Sequence, residues 1–141
     1  MTTGLDEGLG LGNNNRTGLE QINLSYVDLH DLTVITMLQA SRETLSVVAF
    51  NSCNQLTDLS LAALGYFVPQ SLERADFSFC RKVTNRGLVY LCNACVKLKA
   101  LDLFGCSQID GIFLNGHANE EVVIEGPLAL VKQRGEVWNQ Q

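Results

Sequence analysis

Two cysteines three residues apart, Cys92 and Cys95, have the spacing of a metal-binding or redox pair. A structural zinc site needs four convergent ligands. No second pair stands at ligand spacing here, and the nearest histidine is His117. The sequence therefore predicts no metal and no redox chemistry at this pair. The only histidines, His30 and His117, lie far apart along the chain, and no Gly-x-Ser-x-Gly, phosphate-binding glycine loop or metal-binding His pair occurs. An enzyme is not expected, nor a cofactor or a small-molecule substrate.

Charge narrows the field of partners. The 141 residues carry 15 acids against 10 bases, a formal charge of -5, and the longest basic concentration is Arg81-Lys82. A nucleic-acid binder usually presents a basic face, so direct contact with nucleic acid is not expected. No apolar run reaches the ~18 residues that a membrane span needs. The first twelve residues carry acids and glycines rather than a basic start and an apolar block, so no signal peptide is expected. Five cysteines without such a signal point to a reducing, intracellular setting, nucleus or cytoplasm.

The remaining cysteines, Cys53, Cys80 and Cys106, mark an internal repeat. Four segments align: Leu19-Glu-Gln-Ile22-Asn-Leu24-Ser-Tyr-Val27, Leu45-Ser-Val-Val48-Ala-Phe50-Asn-Ser-Cys53, Leu72-Glu-Arg-Ala75-Asp-Phe77-Ser-Phe-Cys80 and Leu98-Lys-Ala-Leu101-Asp-Leu103-Phe-Gly-Cys106. All read L-x-x-a-x-a-x-x-C with a apolar, except that Val27 replaces the first cysteine. Their starts fall 26, 27 and 26 residues apart. Alternation at Leu45, Val48 and Phe50 predicts a short strand with one apolar edge. An apolar residue follows, then Thr57-Asp58, Thr84-Asn85 or Asp110-Gly111 as helix starts. The first repeat slips by one residue, with Leu29-His30-Asp31 in that place. No unit can bury its leucines alone, so the units must stack.

This pattern resembles the cysteine-containing leucine-rich-repeat family, over roughly residues 19 to 126. The resemblance implies an α/β fold: a right-handed solenoid with a parallel sheet on the concave face and helices on the convex face. It extends to the recognition arms of F-box ubiquitin ligases. The last repeat resembles that of the leucine-rich-repeat subunit of fungal global-genome nucleotide excision repair. Residues 19–126 then form four repeats plus a terminal strand at Val122-Val123-Ile124. Residues 1–18 read as a flexible segment or the remnant of a preceding repeat, and 127–141 as a tail or cap.

Between the inward residues each strand offers outward ones, and these are the candidate site. Tyr26, Phe79 and Phe104 are expected on neighbouring rows and, with Asp76 and Asp102, as one continuous patch; Arg74 is a further outward candidate. Aromatics beside charges are typical of interface anchors. The helix side is expected to offer no comparable cluster. A protein partner on the concave face follows, either a ubiquitin-ligase substrate or a neighbour within a DNA-repair complex. A generic leucine-rich-repeat scaffold is the plain alternative.

Overall fold

Each unit opens with three extended residues whose middle side chain is apolar and buried: Ile22, Val48, Ala75, Leu101 and Ile124. A computed structural model describes residues 20–41 and 44–126; the expectations for 1–18, Leu19 and 127–141 lie outside these. The strands are β1 (Gln21–Asn23), β2 (Val47–Ala49), β3 (Arg74–Asp76), β4 (Ala100–Asp102) and β5 (Val123–Glu125). They form one parallel sheet in chain order, and the five middle residues stand in register. Between them lie α1 (Asp31–Ser41), α2 (Asp58–Phe67), α3 (Asn85–Ala94) and α4 (Gly111–Gly116). The expected alternation of strand and helix around a parallel sheet is thus present.

Three-residue strands bury little by themselves. The core comes from stacking: Leu45, Leu72 and Leu98 repeat at one position with almost no exposure, and the Phe50 and Phe77 rings meet at 5.7 Å between centroids. Behind each strand the chain must turn sharply. Tyr26, Ser52 and Phe79 adopt left-handed backbone with φ of 70°, 65° and 63°, and Gly105 shares it at 69°. Such a conformation costs a residue with a Cβ roughly 1–2 kcal/mol. A bond to the next unit offsets it each time: Tyr26 N–H donates to Asn51 O at 2.7 Å, Ser52 to Ser78 O at 2.8 Å and Phe79 to Phe104 O at 2.6 Å.

The cysteines complete these turns. Cys53 Sγ donates to Leu24 O at 3.2 Å, Cys80 to Phe50 O at 3.1 Å and Cys106 to Phe77 O at 3.1 Å, each reaching the preceding unit. Burial pushes the Cys80 thiol up to about 12 and that of Cys106 up to about 11, and it raises Cys53 as well. The proton therefore stays on sulfur at neutral pH, as a donor requires. Val27, lacking such a group, is exposed instead.

A second ladder runs along the helix starts. The Asp31 carboxylate accepts from Thr57 N at 2.9 Å, Thr57 Oγ1 at 2.6 Å and Ser60 Oγ at 2.6 Å. Asp58 takes Thr84 N at 2.9 Å and the Thr84 hydroxyl, and Asn85 exchanges two bonds with Asp110. Thr57 also caps its own helix through Leu59 N; Thr84, turned wholly to Asp58, does not. Gly87 occupies the place of Ser60, and a Cβ there would meet Asp58 Oδ1 at 2.3 Å. A glycine inside a helix costs about 1 kcal/mol against alanine, so it stands here for space.

Two stability predictions follow from these ladders. Leu72→Ala, in the middle of the stack, should cost ~2–5 kcal/mol in chemical denaturation, through lost transfer energy and a cavity. Burial alone would raise the Asp31 carboxyl, but the Ser60 and Thr57 bonds outweigh it and hold it below its ordinary 3.8. A depressed carboxyl stabilises above its unfolded pKa and loses that contribution as pH falls through the folded one. Asp31→Asn should therefore cost about 1 kcal/mol or more at neutral pH. Melts should show that difference shrinking as pH drops below 3.8.

Candidate functional site

Successive strand residues point to opposite faces, so the residues flanking each buried one form an open face. One row across it reads Asn23, Ala49, Asp76, Asp102, Glu125; the other reads Gln21, Val47, Arg74, Ala100, Val123. Adjacent strands lie about 5 Å apart, which sets three carboxylates side by side on β3, β4 and β5. Their surroundings differ. Asp76 Oδ1 accepts Ser78 N–H at 2.8 Å, as Asn23 Oδ1 accepts Ser25 N–H at 3.2 Å, each bracing its own turn. In the β4 unit the matching amide, Phe104 N–H, donates instead to Ser78 Oγ at 3.1 Å. The Asp102 carboxylate is thus released from its own turn. Partial burial pushes its pKa above 3.8; Asp76 and Glu125 add to this, and Arg74 opposes it.

The aromatic side chains border this face beyond the strand ends. The Phe79 ring lies over Gly105, where an added Cβ would stand 2.2 Å from Phe79 Cδ1. Glycine is needed there twice over, for that approach and for its positive φ. The Arg81 guanidinium sits 5.9 Å from the Phe79 ring centroid, within cation–π range. Phe104 is exposed beside them, joined to Phe79 by the backbone bond at the turn. The fold therefore brings Arg74, Asp76 and Asp102 onto one face and places Phe79 and Phe104 at its border. Tyr26 is 77% exposed but stands apart. It takes the turn position of Phe79 two units away, with Ser52 between, so the six candidates do not form one continuous patch.

The helix side differs from expectation. Leu32, Leu59 and Ile112, each the second residue of its helix, are 74%, 62% and 69% exposed. Their common place in the repeat was readable from the spacing of the helix starts, but exposure at that place was not. Glu125 was likewise missed, because the fifth strand has no cysteine to fix its register. Cys92 and Cys95 are both buried, and Cys95 Sγ lies 3.9 Å from Leu64 O in the preceding helix. Burial raises the Cys95 thiol to about 12, far from the thiolate that a metal takes. Among the described residues no three His, Cys, Asp or Glu stand close enough together to hold a metal ion. No described helix is long and apolar enough to cross a membrane.

Known structures contain this arrangement. A chain of the yeast Rad7 and Elc1 complex, solved by crystallography, superposes with a TM-score of 0.54 at 15% identity. The likeness is one of fold. It covers 77% of this chain and 33% of that one, so this chain spans about a third of the length of its match. No family model matches the sequence.

The electrostatics of the open face give a prediction opposite in sign to that for Asp31. A carboxyl with a raised folded pKa destabilises above that pKa, and the penalty vanishes below the unfolded value. Asp102→Asn should therefore raise the melting temperature at neutral pH, and the gain should disappear below 3.8.

Proposed function

We propose that this chain is a protein-binding module of the cysteine-containing leucine-rich-repeat type. Its stack is read as a right-handed solenoid, with the open sheet face concave and the helices convex. The observation that carries the proposal is the open face itself: a parallel sheet with one side in the core and the other bearing Arg74, Asp76 and Asp102 beside Phe79 and Phe104. Catalysis is not part of this reading, nor is a cofactor or a small-molecule substrate.

The partner is a protein held by the concave face, with Phe79 and Phe104 as anchors and the carboxylates steering encounter. Tyr26 serves as a separate contact at the other end of the face. The assembly we assign is a ubiquitin ligase, with this chain as its substrate- or partner-recognition part, working in the nucleus or cytoplasm. A second reading, a structural subunit of a nucleotide-excision-repair complex, draws on the resemblance of the last repeat. It gains weight from a structural neighbour that is itself part of a two-protein complex. Other subunits make any DNA contact in that reading.

Capture of partners from nuclear and cytoplasmic extract, followed by titration of those recovered, tests the proposal. Phe79→Ala and Phe104→Ala should each weaken binding by ~1 kcal/mol or more. Asp76→Lys and Asp102→Lys should slow association and change its salt dependence. Retention of every partner by all four variants would place binding elsewhere. Co-purification of ligase or of repair subunits separates the two assemblies.

A further inference from the structure

The turns between strand and helix carry charges that the open face does not use. Arg81, Lys82 and Arg86 fall within six residues of one another and are all exposed. None forms an ion pair with a described residue; the ion pair among those residues joins His30 to Asp28 at 3.8 Å. The Arg81 guanidinium rests over Phe79, and Lys82 Nζ donates to Gln55 Oε1 at 3.0 Å, so two of the cations are held in place without being neutralised. The carboxylates at the two adjacent helix starts are already engaged in hydrogen bonds, although Asp110 is itself exposed. Asp58 accepts from Thr84, and Asp110 accepts from Asn85 and from the Ile112 amide.

Apolar groups flank these cations. Arg86 is the second residue of α3, and at the same place the neighbouring helices expose Leu59 and Ile112. Phe79 and Phe104 close the border toward the sheet. We infer that this rim is a second docking site, for an acidic protein segment whose carboxylates meet Arg81, Lys82 and Arg86 while apolar side chains rest on Leu59 and Ile112. Charge complementarity chooses the occupant. A nucleic-acid backbone wants cations spaced along its length, whereas here one unit carries them and aliphatic residues hold both flanks. The row of Asp76, Asp102 and Glu125 on the adjoining face repels any polyanion that overruns the rim.

The test is a selection of random displayed peptides against the full chain, followed by binding measurements on the peptides enriched. Those peptides should combine Asp or Glu with Leu or Phe. They should bind the triple variant Arg81→Glu, Lys82→Glu, Arg86→Glu about tenfold more weakly or worse. Asp76→Lys and Asp102→Lys should not weaken their binding, which separates this site from the concave face. Circular dichroism checks the fold of the triple variant, and Arg81→Ala and Arg86→Ala singly replace it should it fail to fold. Peptides without acidic enrichment, or binding unmoved by these changes, would overturn the inference. So would a single-stranded oligonucleotide, or vesicles of anionic lipid, that displaced the peptides with the same dependence on the three cations.

Discussion

The left-handed turns at Tyr26, Ser52 and Phe79 are each completed by a neighbouring unit. A sharp left-handed bend leaves backbone groups pointing along the stack, and buried polar groups without partners are costly. Tyr26, Ser52 and Phe79 send their amides forward to the next unit, while Cys53, Cys80 and Cys106 send their thiol protons back to the one before. The repeat length is what makes this work. Only when successive units return the same atoms to the same height do donor and acceptor meet, so the period is fixed by hydrogen bonding as well as by the leucines.

The candidate face inherits its layout from that regularity and its character from departures. Asn23 and Asp76 brace the turns that follow them, but Phe104 N–H finds Ser78 Oγ, and Asp102 is left facing outward between two other acids. Phe79 can lie flat only because the residue beside it in the next unit is Gly105. The structural neighbour shares the frame at 15% identity, as expected if the frame needs only the inward residues and the turn donors. What is displayed on it is free to differ.

Much of the frame was legible in the sequence because its rules are local and periodic. The leucines, the strand alternation and the cysteines at one place in each unit predicted β2 to β4 and the helices after them. Asp31 and Asp58 were read as residues of a helix start; their bonds to Thr57, Ser60 and Thr84 join residues 26 or 29 apart and depend on how units lean together. Exposure at Leu32, Leu59 and Ile112 was hidden for a similar reason, since an apolar residue at a helix start reads as core until the packing direction is known. Tyr26 was set beside Phe79 because both hold the same outward place in their repeats, whereas strand order puts Ser52 between them.

The pairing of Asp58 with Gly87 has a consequence for how such chains can change. Where a unit begins its helix with aspartate, the next must supply either a hydroxyl donor, as Ser60 does for Asp31, or empty volume, as Gly87 does for Asp58. Any larger side chain at that place is compatible only with a different residue at the start of the preceding helix. Adjacent units are therefore matched like consecutive links with keyed ends. Duplicating, deleting or transplanting a unit preserves the stack only where the new neighbours carry compatible keys, so these repeats behave as an ordered series rather than as interchangeable parts.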